Sequence, residues 1–237
     1  MSSRSFSRVV KALVLLAALG LLASCQAPRQ LGGDRLAKEW APQRVAVLPF
    51  QVAVKGGEEG SVRSPLSGAS FVPGPVTEGA SLALDQSLEN ALPRMVDFSI
   101  VPQAQAGRVF DRLRRENFSL SLIQAVVATG QKLEVDGVVL GHVYRFSQRV
   151  GGPYSADRPA SAAFDLAMVR VSDGAVIWKN SFDEAQKPFS ENVFAASQYM
   201  DRGLQWFTVQ EWGDIGLSQL LERFPWRKDQ GKDQPKE

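Results

Sequence analysis

Short apolar runs that end at proline, separated by segments with helical periodicity, mark the first half of the chain. The run Arg44–Phe50 is rich in β-branched residues and contains Pro49, and the run Phe98–Val101 ends directly before Pro102. Unbroken apolar runs of this length are typical of strands buried on both faces. Because parallel strands need long crossover connections, which are usually helices, the pattern predicts a sheet covered by helices.

Three helices are predicted in this half, each with apolar residues at helical spacing. The first runs from Gly79 to Leu92 and is ended by Pro93. The second runs from Ala104 to Glu116, and the third from Leu120 to Leu133 after a cap at Ser119.

The second half begins with antiparallel strands. The longest strand candidate is Val135–Val150, and in the next one, Ala163–Met168, large apolar residues alternate with Ala and Asp. Asp173 and Gly174 lie between two apolar runs and predict a hairpin with a type I′ turn, which needs a positive φ at both central residues.

The last third is predicted to be helical. One helix extends from Ser190 to Asp201. A second, Val209–Phe224, begins with a capping box formed by Thr208 and Glu211 and ends at Pro225.

Together these elements predict one three-layer α/β domain over residues 44–225. Its mixed sheet has early strand–helix crossovers and later antiparallel hairpins, and helices lie on both faces. Residues 226–237 are too polar to fold alone and are predicted to form a disordered charged tail.

The N-terminus has the pattern of a signal peptide over residues 1–24. Arg4, Arg8 and Lys11 precede the uncharged stretch Ala12–Leu22. Eleven residues at about 1.5 Å each do not cover the roughly 30 Å of a bilayer core, so the stretch is not a spanning helix. Removing these three of the 27 basic residues leaves 24 against 25 acidic ones. Without a basic excess, the mature chain is not expected to bind nucleic acid.

The signal ends in Leu22-Ala23-Ser24-Cys25, which resembles the lipobox of bacterial lipoproteins. The resemblance implies that Cys25 carries fatty acyl chains such as palmitate and begins the mature chain, with residues 25–43 forming the lipidated Cys and a tether. Several acyl chains, at about 0.8 kcal/mol per buried CH₂, hold a protein on a membrane where one does not. Gln26, rather than the Asp that retains lipoproteins in the inner membrane of enteric bacteria, implies the periplasmic face of the outer membrane. The alternative is an ordinary secretory signal with an incidental Cys.

The content of Cys and His excludes several kinds of site. One Cys and one His allow no disulfide within the chain, no cysteine-built zinc or iron–sulfur site and no multi-histidine metal site. Gly151-Gly152-Pro153 lacks the Lys-Ser/Thr of a phosphate-binding loop, so no nucleotide site is expected. We therefore expect no cofactor and no metal.

The candidate catalytic residues have simpler interpretations. His142 lies in a predicted strand and is interpreted as structural rather than as a catalytic base, because no nucleophile stands in a recognisable motif. Asp183 and Glu184, with Glu211 and Asp214, could form a carboxylate pair for glycan cleavage. A solvated strand end and a helix cap are the favoured interpretations, and no catalytic residue is assigned.

Two features are candidates for partner contacts. The loop Phe50–Val76 contains Phe71 and is rich in Gly and Pro, and loops of this length are usually functional or mobile. Trp206, Phe207 and Trp212 form an aromatic corner near the last helix. Core packing, with Phe207 and Trp212 as a hydrophobic staple, is favoured there; partner contact is the alternative, since Trp is enriched at interface centres.

The segments Arg44–Phe50, Val135–Gly141 and Val169–Trp178, in this layout, resemble a superfamily of envelope lipoproteins. It contains the curli-secretion channel lipoprotein, the Pel polysaccharide export lipoprotein, outer-membrane activators of penicillin-binding proteins and the N-terminal domain of the Tol-Pal translocation protein. The resemblance covers Arg44–Trp178 and implies an α/β fold and action by binding. Phe50–Val76 has no pair of alternating segments long enough for a curli-type transmembrane hairpin.

We therefore expect an outer-membrane-anchored periplasmic lipoprotein that is a non-enzymatic binding or assembly module in envelope export or biogenesis. Its expected partners are the membrane, through the lipid on Cys25, and envelope proteins. The alternative is a subunit of a homo-oligomeric ring in polysaccharide or protein export. An enzyme acting on peptidoglycan is the third hypothesis.

The lipid anchor gives the first prediction. The mature chain should sediment with outer membranes, and its mass should exceed the sequence mass from Cys25 onward by that of the acyl chains, because these chains partition into the bilayer. Membrane fractionation with mass spectrometry of the N-terminal peptide measures both. Release into the medium with an unmodified Cys25 thiol would contradict the assignment.

Overall fold

The computed structural model describes residues 40–53, 60–152, 156–187 and 206–228. Within these ranges, no helix has both the length and the apolar character needed to cross a bilayer. Cys25, the signal peptide and the predicted helix Ser190–Asp201 lie outside the described residues.

The described elements follow the predicted order of strands and helices. The strands are β1 (Arg44–Val47), β2 (Gln51–Val52), β3 (Val62–Arg63), β4 (Ser70–Phe71), β5 (Ser99–Val101), β6 (Gly137–Ser147), β7 (Val150–Gly151), β8 (Ala156–Arg158), β9 (Ser161–Arg170) and β10 (Val176–Ala185). The helices are α1 (Ala80–Met95), α2 (Gln103–Glu116), α3 (Leu122–Lys132) and α4 (Val209–Glu222).

The main sheet mixes parallel and antiparallel pairs, which confirms the predicted α/β class. Its order is β10-β9-β6-β1-β5, with β2 also pairing with β6. Strand β1 is parallel to β5 and to β6. The chain passes from β1 to β5 through α1 and from β5 to β6 through α2 and α3, which are the helical crossovers that the sequence predicts. Strands β6, β9 and β10 form the antiparallel part, as expected for consecutive hairpins. Two short hairpins, β3-β4 and β7-β8, lie outside this sheet.

Alternate residues of the central strands supply two separate hydrophobic cores. Val45 and Val47 join the core under α1 and α4, whereas Ala46 and Leu48 join the core under α2 and α3. Successive side chains of a strand point to opposite faces, so a strand that is apolar at every position is buried on both sides. The result is the predicted three-layer arrangement.

Helix α1 continues past the proline that was predicted to end it. Pro93 lies inside the helix, which ends at Met95. Proline removes the hydrogen bond to the carbonyl of Glu89 but still has a helical φ. The last turn is held by its contacts: the side chain of Met95 packs on the core, and its carbonyl accepts a hydrogen bond from the Lys228 N–H.

The β9-β10 hairpin forms where it was predicted, but its turn is not type I′. Gly174 has a φ of +72°, whereas Asp173 does not have a positive φ. The Gly174 N–H donates to the Arg170 carbonyl at 2.9 Å, and the Asp173 carboxylate pairs with the Arg170 guanidinium at 2.6 Å. Hydrogen bonding from Arg170 lowers the pKa of Asp173 to about 2. The turn is therefore longer than two residues, and only glycine occupies the left-handed region.

Two tryptophans, Trp40 and Trp226, pack on the domain although they lie outside its predicted bounds, residues 44–225. The Trp226 indole N–H donates to the Trp40 carbonyl at 2.6 Å, and the two rings meet edge to face at 5.3 Å. Trp226, placed in the charged tail by its polar neighbours, instead packs on Phe224. A single large aromatic residue buries enough apolar surface to hold a short polar segment against the domain.

The cap of α3 differs from the expected one and gives the second prediction. Ser121, not Ser119, accepts from the Gln124 N–H, and the Gln124 side chain accepts from the Ser121 N–H. Ser121→Ala should therefore lower the free energy of unfolding by about 1 kcal/mol, measured by urea denaturation. Ser119→Ala is the matched control and should change it by less than about 0.5 kcal/mol. Equal losses in the two variants would contradict this cap.

Candidate binding site

The β3-β4 segment of the loop between β1 and α1 packs on the sheet instead of projecting from it. Its β3-β4 hairpin places Phe71, only 1% exposed, in a parallel stack on Tyr144 with ring centroids 4.0 Å apart. Leu66 joins the core that α2 and α3 cover. These helices cover one part of this sheet face, and the β3-β4 segment covers the part that holds Tyr144.

A buried carboxylate holds the loop down. Asp165 of β9 is fully buried, and one of its oxygens accepts hydrogen bonds from the hydroxyls of Ser64 and Ser67, the latter at 2.9 Å. Its other oxygen accepts from the backbone N–H of His142 at 3.1 Å. The Ser64 hydroxyl in turn accepts from the backbone N–H groups of Leu66 and Ser67. The loop is thus folded around the side chain that binds it to the sheet.

His142 and Tyr144 complete this cluster. The His142 side chain is 9% exposed, and its Nδ1 lies 3.7 Å from Asp165 Oδ1 and has no hydrogen-bond partner among the described residues. Burial, followed by the nearby Asp165 charge, raises the pKa of Tyr144, so its hydroxyl stays protonated. In a hydrolytic triad the serine bonds to histidine and the histidine to the acid. Here the Ser64 hydroxyl bonds directly to Asp165, so the three side chains do not have the order of a triad.

Three of the four carboxylates considered for glycan cleavage have separate structural partners, and for Glu184 the structure shows a hydrogen bond to its backbone carbonyl only, from the Trp212 indole. Asp183 pairs with Arg145 at 2.7 Å, Glu211 caps α4 together with Thr208, and Asp214 bonds to the Ser87 hydroxyl. In the described ranges, no group of three or more His, Cys, Asp or Glu side chains is placed to hold a metal ion.

The residues predicted for partner contact lie mostly inside the protein. Phe71, Phe207 and Trp212 are 1%, 3% and 4% exposed. Phe207 and Trp212 pack together at 6.1 Å between ring centroids, as the hydrophobic staple of α4 requires. The packing interpretation therefore describes Phe207 and Trp212, and Phe71, a candidate for partner contact only, is buried as well. Trp206 is half-buried, and its carbonyl accepts a hydrogen bond from Arg149.

An open apolar cleft lies at the β5 edge of the sheet. It has a volume of about 490 Å³ and lies between α1 and β5. Leu88 and Leu92 from α1, and Phe98 and Ile100 from the β5 segment, supply its apolar surface. The polar residues in its lining are Glu89 and Gln103, so the cleft combines a hydrophobic floor with a single acidic side chain.

A buried carboxyl group holds one of the side chains that line this cleft, that of Gln103. Asp85 accepts hydrogen bonds from the Phe50 N–H at 2.8 Å and from the Gln103 side chain at 3.1 Å. Burial, and to a smaller extent the charge of Glu89, raises the pKa of Asp85 to about 6. The two carboxyl groups therefore add to each other's negative potential above that pH.

Comparisons with known proteins give structural neighbours only, because no protein-family model and no curated protein matches the chain. The PelC dodecamer from Paraburkholderia phytofirmans is 13% identical, with a TM-score of 0.39 over 78% of this chain and 88% of that one. A lipoprotein from Neisseria meningitidis is 12% identical, with a TM-score of 0.39 over 68% and 97%. The LpoB C-terminal domain from Salmonella enterica is 12% identical, with a TM-score of 0.35 over 66% and 98%.

These neighbours include PelC, the Pel export lipoprotein of the superfamily that the sequence resembles. Identities of 12–13% and TM-scores below 0.5 do not assign an activity or a partner to this chain.

Two features of this region were not predicted from the sequence. The burial of Asp165 depends on Ser64, which is 101 residues away in the sequence. The only local signal is an Asp between apolar residues of a strand, where a polar side chain normally faces water. The cleft depends on how α1 lies over β5, and its sequence signal is limited to the short, proline-ended strand Ser99–Val101.

The buried carboxylate gives the third prediction. Asp165→Ala should lower the free energy of unfolding by about 3 kcal/mol or more, because it leaves several buried donors without an acceptor. Ser67→Ala should cost about 1 kcal/mol, since it removes one donor. Urea denaturation measures both, and Asp111→Ala, at an exposed position on α2, is the control. A loss at Asp165 no larger than at Asp111 would show that the carboxylate does not hold the loop.

Proposed function

We propose that this chain is a lipid-anchored envelope protein whose domain acts by binding another envelope component at the periplasmic face of the outer membrane. The cleft between α1 and β5 carries the proposal. It is concave, largely apolar and bordered by few polar groups, as ligand sites in proteins generally are.

The arrangement of the reactive side chains supports binding rather than catalysis. Ser64, His142 and Asp165 are each at most 7% exposed, and Asp165 accepts hydrogen bonds from the loop that covers it. A substrate would have to displace the loop to reach them. The cleft, in contrast, is open without any rearrangement.

A homo-oligomeric ring is the second candidate function. In the part of the chain that the structure describes, β5 and β10 each pair with one neighbour and are the two edges of the main sheet. A contact between different edges of successive copies is heterologous, and such contacts close into rings when the rotation allows. The mass of the detergent-extracted protein distinguishes a ring from a monomer.

The fourth prediction tests the binding function in the intact envelope. A photoreactive amino acid in place of Pro93, an exposed residue that lines the cleft, should crosslink the full-length lipoprotein to an envelope component. The same amino acid in place of Phe118, which is 86% exposed in the α2–α3 turn, is the matched control and should give no such adduct. Gel shift and mass spectrometry identify the adducts. If Pro93, Val72 and Trp206 all give none, the binding function is contradicted.

A further inference from the structure

We propose that β5 accepts an extended peptide segment of a partner protein as an added strand, with an apolar side chain in the cleft and a basic side chain beside Glu89. This inference rests on the proposed binding function and names the chemistry of the partner. The argument uses the hydrogen bonds of β5, the shape of the cleft and its charge.

Strand β5 has backbone groups that point away from the sheet. The Ser99 N–H donates to the Gln43 carbonyl at 2.9 Å, and the parallel register pairs Ile100 with Val45. In a parallel ladder the hydrogen bonds of β5 to Val45 come from the residues on either side of Ile100. The N–H and C=O of Ile100 therefore face the open side, where no strand pairs with β5 among the described residues.

An added strand would direct its side chains into the cleft at every second residue. Ile100 is half-buried, and its side chain packs toward the core that α1 covers. A residue directly opposite Ile100 places its side chain on the same face of the sheet. That side chain enters the cleft beside Leu88 and Leu92, both 1% exposed, so an apolar residue is required.

The charge of the cleft determines a second requirement on the added peptide segment, a basic side chain. Glu89 is exposed at the rim, and Asp85 lies behind Gln103. The repulsion between the two carboxyl groups is one cause of the raised pKa of Asp85. A lysine or arginine two residues from the apolar residue lies on the same face and relieves this repulsion. The expected recognition pattern is an extended segment with an apolar residue, any residue and then a basic residue, in either direction.

Ile100→Pro tests the backbone contact without removing a hydrogen bond of the β1-β5 ladder. Proline lacks the N–H that faces the open side and is tolerated on edge strands. Circular dichroism and urea denaturation check that this variant folds. Glu89→Lys tests the charge at an exposed position of α1. Its matched control is Asn90→Lys, because the adjacent Asn90 lines a different cleft, between α1 and α4.

The probe is a random peptide library displayed on phage, selected on the full-length lipoprotein in detergent micelles. We expect the selected peptides to carry the apolar and basic residues two positions apart. Their affinity, measured by fluorescence anisotropy, should fall at least about tenfold for Ile100→Pro and for Glu89→Lys and stay unchanged for Asn90→Lys. If Ile100→Pro does not fold, the proposal is tested by comparing the peptide affinities of Glu89→Lys and Asn90→Lys.

Three outcomes would overturn the proposal. In the first, the selection enriches no peptides. In the second, the enriched peptides bind both test variants as tightly as the original chain. In the third, Ile100→Pro dissociates a homo-oligomer, which would make a second copy of this chain the occupant of β5. Any of these, together with an envelope adduct in the crosslinking experiment, leaves the binding function in place. If none of the three surface positions gives an adduct but the selected peptides still bind, the proposed function in the envelope is contradicted, and the peptide site on β5 is not.

Discussion

The burial of the Asp165 carboxylate is the constraint on which this face of the domain depends. A carboxylate that is fully removed from water needs hydrogen-bond donors around it, because the cost of its desolvation is otherwise several kcal/mol. The sheet supplies the backbone N–H of His142, and the loop supplies the hydroxyls of Ser64 and Ser67. The loop and the sheet can therefore satisfy this group only together.

This constraint also determines which surfaces remain open. The loop covers the part of the sheet face that α2 and α3 leave uncovered, and Phe71 closes it by stacking on Tyr144. The segment that composition marks as a contact region is thereby committed to the fold, at least in its described residues. The cleft at β5 is formed by α1 instead, and a hydrogen bond to Asp85 holds Gln103 in its lining. Binding at the cleft does not require the loop to move.

The sequence allowed the fold to be predicted wherever the signal was local. The apolar run Arg44–Phe50 predicts a strand buried on both faces, and Thr208 with Glu211 predicts the start of α4, because capping depends on residues three apart. Ser119 was assigned in place of Ser121, although Gln124 marks the correct capping box. Pro93 shows the opposite case, since distant contacts of Met95 hold a turn that local propensity would end.

The candidate site was less predictable because it is assembled from distant segments. The sequence pattern predicts that Ile100 is a core residue, and only the order of the strands shows that its backbone lies at the edge of the sheet. The sequence pattern predicts that Glu89 is an exposed residue of an amphipathic helix. Only the packing of α1 over β5 shows that its charge lies beside an apolar cleft. Short recognition elements of this kind are not marked by spacing or composition, unlike a metal site or a phosphate-binding loop.

The proposed anchor and the proposed contact complement each other energetically. A strand added through the two outward groups of Ile100 and one apolar side chain has few interactions, and each net hydrogen bond contributes only about 1 kcal/mol. Such a contact is weak between freely diffusing molecules, which also lose translational freedom on binding. Anchoring on the same membrane as the partner replaces this loss by an effective concentration that reaches about millimolar for short flexible linkers. A short tether therefore allows a small edge contact to be occupied, and it restricts that contact to partners at the same membrane surface.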